Sequence, residues 1–311
     1  MYPSSNRWIL FFAGTLLLLS ISLFVVNQWG NHYTGNNYFP PHSFFMAFNL
    51  LLIYLGLILQ CGLQHRLTIC VKEIGCLFLI TALLALATNA IQYTPFPTID
   101  ASIIAFENRL HIDLNAVLTW THHKPIFKTI LWVLYDTLPY QMLCFPLLLI
   151  ATNRIDTLRE YYFLLLCSAM IGFSFYYFFP TTAPASLLSS DYFSAEQYAT
   201  GLKFKEIHEH TQPSTQAGGL IAMPSFHVIW AWFCLYLLRS WPLAFKIMLP
   251  LNLLLMSACV LLGWHYVMDL IGGIMVVCIS HGLYYSIQPK RSLQPGVCLE
   301  SLTILRFKSH K

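Results

Sequence analysis

A polytopic bundle of membrane-spanning helices is the fold this chain predicts, on three observations. Only 10% of its 311 residues are charged, against roughly a quarter in an ordinary soluble domain. Hydrophobic residues make up 57% and mean hydropathy is +0.61, which excludes a soluble globular enzyme. The apolar residues also gather in runs near the ~20 residues that one bilayer crossing requires. A net charge of +4 raises the question of nucleic acid, but Lys and Arg are scattered between the apolar runs without forming a block, so no nucleic-acid partner is expected.

Hydropathy places about eight transmembrane helices, near 8–26, 44–63, 70–91, 129–150, 161–179, 221–239, 243–263 and 266–286. The first, from Trp8 to Val26, is too long for the apolar region of a signal peptide and ends at Asn27-Gln28 with no small-residue cleavage pattern. With the N-terminus in the cytoplasm, twelve Lys and Arg residues fall inside and five fall outside: Arg109, Lys124, Lys128, Lys203 and Lys205. Those five lie in two long loops, where charge bias carries least information. The short outside connections, 27–43 and 264–265, carry none, as the positive-inside rule expects. The even span count puts the C-terminal tail in the cytoplasm as well.

The two long outer segments are 92–128 and 180–220, a length that usually implies function or internal structure. Within the first, Ile99, Ile103, Phe106, Leu110, Leu114, Val117 and Leu118 recur at helical spacing over 98–121, which suits one helix lying along the membrane interface. The second reads as loop, from Phe178-Phe179-Pro180-Thr181-Thr182-Ala183-Pro184 to Gly218-Gly219. Nine cysteines (61, 70, 76, 144, 167, 234, 259, 278 and 298) avoid both segments. Neither a disulfide framework nor a C-x-x-C metal site is expected.

Ionisable groups at the end of an apolar helix point to function by default, and two such sites stand out. Met223-Pro224-Ser225-Phe226-His227 opens the sixth helix. Proline suits the first turn, and the free N–H groups there can receive an anion. Gly263-Trp264-His265-Tyr266-Val267-Met268-Asp269 joins helices seven and eight. His and Asp four apart can share a helix face or bracket its N-terminus, so the carboxylate can hold one imidazole nitrogen and leave the other free. Both sites are expected on the same side of the membrane. Together they supply what phosphoryl transfer through a phosphohistidine needs. His265 is the candidate nucleophile, Asp269 its orienting carboxylate, His227 the acid, and Ser225 with the helix N–H groups the holders of the phosphoryl oxygens. No metal and no cofactor is required.

Pro224-Ser225-Phe226-His227, followed 38 residues later by His265-x-x-x-Asp269, resembles the second and third signatures of the type 2 phosphatidic acid phosphatase superfamily of integral-membrane lipid phosphatases and phosphotransferases. The resemblance implies the same three roles for His265, Asp269 and His227. It also implies a six-helix phosphatase-type catalytic part toward the C-terminus; its signature-bearing stretch is 129–286. The form His-Tyr-Val-Met-Asp-Leu-Ile-Gly-Gly (265–273), with the 178–184 segment upstream, is closer to the inositol phosphorylceramide synthase branch. The superfamily's first motif, a Lys and an Arg-Pro that bind phosphate, has no counterpart here, and the third-motif Arg falls near Cys259. Cation candidates for the phosphate are therefore Lys203 and Lys205, then Arg109, Lys124 and Lys128.

The chain thus divides into N-terminal transmembrane helices (1–97), a catalytic membrane domain with an interfacial helix and outer loop (98–287), and a cytoplasmic basic tail (288–311). The function expected is a metal-independent phosphatase of lipid or isoprenoid phosphates or diphosphates at the periplasmic or lumenal face. The alternatives are transfer of the group to an alcohol, or a non-enzymatic transporter or scaffold on the same fold. Asp136, with Tyr140 one turn on, is either a structural hydrogen-bonding group or a wall of the site. His208-Glu209-His210 and His122-His123 read as solvated loop residues, since such close neighbours do not converge on a metal. Phe173, Phe175, Tyr176, Tyr177, Phe178 and Phe179 read as an interfacial belt or the entry for an acyl chain, and His281 as a packed residue.

Overall fold

The computed structural model describes residues 3–30, 42–215, 219 and 221–287. The basic tail 288–311 and most of the connection 27–43 lie outside the described residues. Secondary structure among those described is entirely helical, and helix occupies the core of each of the eight apolar segments. Six helices are long and apolar enough to cross a membrane: α1 (Pro3–Gly30), α2 (Ser43–Cys61), α3 (Arg66–Ile91), α8 (Ile155–Phe178), α11 (Pro242–Leu261) and α12 (Val267–Ile287). Four helices connect them between α3 and α8: α4 (Asp100–Arg109), α5 (Leu114–His122), α6 (Pro125–Tyr135) and α7 (Leu138–Ala151). The remaining two are α9 (Ala195–His208) and α10 (Phe226–Leu237), the latter shorter than a full span and continued by a 3-10 turn to Ser240.

The helix near 129–150 is two pieces, α6 and α7, bent by 45°. Pro139, at the start of α7, supplies the reason. A proline ring collides with the carbonyl four residues back, which is that of Tyr135, and α6 ends there. The pair is long and apolar enough to make a seventh span if taken as one crossing.

Two further expectations are corrected. The single helix over 98–121 is α4 and α5, separated at 110–113, where His111 adopts a left-handed φ of 59°. Asp113 accepts the Ala116 N–H at 3.2 Å and so starts a new helix, the position its short carboxylate prefers. The segment 180–220 is not loop throughout. Ser194 and Gln197 form a reciprocal capping box that launches α9.

The bundle is organised around α8. Leu158 and the stretch Tyr161–Ala169 are buried on every side, as expected for a helix apolar all round. It packs against α1, α3, α10 and α12. Helix α2, by contrast, has no buried residue and rests chiefly on α3. Helices α10 and α12 begin at the same end of the bundle as α8 finishes, and the candidate site is there.

Candidate active site

The turn joining α11 to α12 is built from main-chain hydrogen bonds. The Cys259 carbonyl accepts both the Trp264 and the His265 N–H, each at 2.9 Å. Gly263 permits the reversal with φ of 82°, and a Cβ there would lie 2.7 Å from Leu118 Cδ2 and 2.8 Å from Phe193 Cε1. Asp269, in the first turn of α12, reaches back so that its Oδ2 accepts the Tyr266 N–H at 3.0 Å and meets His265 Nδ1 at 3.1 Å. Asp269 is fully buried and His265 is 5% exposed. This pairing gives Nδ1 the proton and leaves Nε2 with a lone pair.

The segment before α10 completes the site. Ser225 is the N-cap of α10, yet its side chain makes no capping hydrogen bond. Its Oγ instead faces His265 Nε2 at 3.4 Å. One turn-forming contact locks the two segments together, the Ser225 N–H donating to the Asp269 carbonyl at 2.9 Å. A Cβ on Gly273 would stand 2.9 Å from the Ser225 carbonyl oxygen, so the close approach of α12 requires glycine. His227, half-buried, has its ring centroid 5.8 Å from that of His265. First-turn N–H groups of α10 have no acceptor inside the helix and carry its positive dipole end. Ser225, His227, His265 and Asp269 are therefore brought together as one cluster.

Helix α4 grips both halves of this cluster, through residues that sequence reasoning missed. Glu107 Oε1 accepts the Met268 N–H at 2.8 Å. Two turns earlier on the same face of α4, both carboxylate oxygens of Asp100 accept the Thr182 N–H, at 2.9 and 3.0 Å. Thr181 Oγ1 in turn accepts the Met223 N–H at 2.7 Å, just before Pro224 and Ser225. The 178–184 motif is thus the link between α4 and the His227 segment. Burial pushes the Asp100 carboxyl up to about 7, against the opposing pull of the Thr182 N–H. Burial raises Glu107 as well, with the Met268 N–H opposing.

The remaining candidates are placed as follows. Lys203 is fully buried on α9, where burial pulls its ammonium down to about 8 while Glu196 opposes the shift. Lys205 is exposed and pairs with Glu209 at 3.8 Å. Lys128 meets His122 Nδ1 at 3.1 Å, Lys124 lies over the Trp120 ring, and Arg109 is exposed. Asp136 is exposed at the bend between α6 and α7, and the residue against the site is its neighbour Tyr135, stacked on His227. Phe173 and Tyr176 turn into the core, Phe173 against Phe226, while Phe178 and Phe179 are about half exposed. His208 closes α9 and does not lie in a loop. His281 Nε2 accepts the Trp232 indole N–H at 3.1 Å. Among the described residues, no group of three or more His, Cys, Asp or Glu is placed to hold a metal ion.

Residues 101–283, more than half of the chain, match the family model of the PAP2 superfamily, and the chain belongs to that superfamily. Searches of curated proteins and of solved structures return no match. Membership supports a phosphatase-type function on lipid phosphates.

Proposed function

We propose that this protein hydrolyses a lipid phosphate or diphosphate through a phosphohistidine formed on His265. The observation that carries the reading is the order of contacts from Asp269 Oδ2 to His265 Nδ1, and from His265 Nε2 to Ser225 Oγ, at 3.1 and 3.4 Å. His265 Nε2 attacks phosphorus while the bond to the leaving oxygen breaks, and Asp269 stabilises the positive charge that develops on the imidazole. His227, protonated, gives its proton to the leaving oxygen. It then accepts a proton from the water that attacks the phosphohistidine, and the P–N bond breaks to release phosphate and restore His265. Ser225, the first-turn N–H groups of α10, the buried Lys203 and the surface Lys205 are the groups assigned to the phosphoryl oxygens. The step needs neither cofactor nor metal.

The distribution of Lys and Arg supports cytoplasmic termini and a site on the periplasmic or lumenal side, where the headgroup is presented from the outer leaflet. A second reading keeps every catalytic group and replaces water by an alcohol. The likeness of residues 265–273 to the inositol phosphorylceramide synthase branch favours it.

The test is to incubate the purified protein with radiolabelled lipid phosphate, with and without candidate alcohols. Wild type is expected to form an acid-labile phosphoenzyme and release phosphate, and His265→Ala to lose both. A product that appears only with an alcohol would establish transfer, while a labelled intermediate that survives in His265→Ala would overturn the nucleophile assignment.

A further inference from the structure

His265 and His227 are held by different means. A carboxylate fixes the first, whereas the second makes no hydrogen bond to any described residue, and its ring neighbours are Tyr135 and His265. Tyr135 lies flat against it, with centroids 4.3 Å apart and planes 16° from parallel. The other aromatic neighbour of Tyr135 in the stack is Trp264, nearly parallel at 7° and 5.9 Å, whose own ring is met edge-on by Trp132. Trp264 is the residue before the candidate nucleophile. Tyr135 therefore joins the two catalytic segments from the outside of the pair.

We propose that Tyr135 is a positioning residue for His227, holding the imidazole face so that its free nitrogen is aimed at the phosphoryl leaving oxygen. The inference rests on the acid role given to His227 above. Three features make Tyr135 fit for it. Its backbone is fixed, because α6 ends at this residue under the steric demand of Pro139 and packs on α11 around the fully buried Leu131 and Ala258. Its ring spans the gap to His227 without a hydrogen bond, so the imidazole nitrogens stay available for proton transfer. The near-parallel stack, with centroids 4.3 Å apart, also restricts rotation of the imidazole ring.

The stack makes a prediction that a merely structural wall does not. An acid is needed for a poor leaving group and dispensable for a good one, so misaiming it costs selectively. The probes are a long-chain alkyl phosphate and a nitrophenyl phosphate carrying the same chain. The readout is the ratio of their kcat values in each variant, a ratio that the folded fraction of the preparation does not affect. Tyr135→Leu should lose about tenfold more on the alkyl phosphate than on the nitrophenyl phosphate, in the same direction as His227→Ala. Tyr135→Phe, which keeps the ring, should retain the wild-type ratio.

Equal loss on both substrates in Tyr135→Leu, alongside a selective loss in His227→Ala, would overturn the positioning role and leave the acid assignment standing. A Tyr135→Phe ratio as disturbed as that of Tyr135→Leu would overturn the stack in favour of the hydroxyl. Equal loss in His227→Ala itself would remove the acid assignment, and this inference with it.

Discussion

The two ends of the bundle both bury charge in an apolar setting, and they do so in opposite ways. At the end away from the site, charges are closed into pairs. Glu160 receives Arg239 and also the Tyr236 hydroxyl, the latter at 2.8 Å, and Glu73 receives Arg159. The Arg239 guanidinium lies over the Tyr236 ring, and Tyr236 shares a hydroxyl contact of 2.6 Å with Tyr285. At the catalytic end, the polar side chains are oriented but left open: His265 has one nitrogen committed to Asp269 and one facing Ser225, and His227 has neither committed to a described residue. A cation and an anion that satisfy each other hold helices together; a carboxylate that orients a neutral imidazole leaves a reactive lone pair. The difference separates buried groups that satisfy one another from buried groups left able to meet a ligand.

The largest effect should come from Asp269→Asn. The amide keeps the size of the side chain but permits the wrong imidazole tautomer, and turnover should fall by about 10⁴-fold in protein that purifies and melts like wild type. Intact turnover with a lowered melting temperature would place Asp269 with the closed pairs instead.

At the opposite end the expected order is reversed. Arg239→Met strips Glu160 of its cation while Glu160 stays 8% exposed. Breaking a buried pair from one side costs about 3–5 kcal/mol, an upper figure here because Arg239 is 31% exposed. Thermal unfolding in detergent should report that loss, while kcat below the transition stays at the wild-type value. The double variant Glu160→Leu with Arg239→Met should regain much of the stability, since it leaves no lone buried charge. A large fall in kcat at low temperature would show that the two ends are coupled.

The smallest effect concerns pH and belongs to Asp100. Its folded carboxyl is raised from 3.8 to about 7 by burial, so between those values the folded chain keeps a proton that the unfolded chain has released. Stability from this group is therefore complete below the lower value, falls as pH rises through the window, and is level above it. Asp100→Asn retains an acceptor for the Thr182 N–H and removes the titration. Melting temperature followed from about pH 5 to pH 8 should decline less steeply in the variant than in wild type, and parallel curves would deny Asp100 the titration.

Much of this architecture was legible from sequence because single helices announce themselves by apolar length. The bend after Tyr135 was hidden inside such a run, since Pro139 interrupts the hydrogen-bond ladder while its apolar neighbours keep the run unbroken. The break at 110–113 was hidden for a similar reason: α4 and α5 happen to keep their apolar residues in phase across it. The capping pair Ser194 and Gln197 was a local signal for α9 that loop-like composition concealed. Within the site, Ser225, His227, His265 and Asp269 were recognisable because their side chains carry ionisable or hydroxyl groups and sit close to helix starts. Asp100 and Glu107 were not, because what they hold are backbone N–H groups of Thr182 and Met268, which carry no residue identity. Tyr135 escaped because its partner is a ring face brought near only by folding, and the adjacent Asp136 drew attention as the more conspicuous intramembrane charge.

The turn after α11 also bears on which substitutions this architecture can accept. What position 259 contributes there is a carbonyl oxygen, accepting from Trp264 and His265, and every amino acid supplies one. The main-chain position of His265 is thereby set by the backbone at position 259 rather than by its side chain. A different side chain at this fully buried position would leave that carbonyl in place and change what meets the Ser225 hydroxyl.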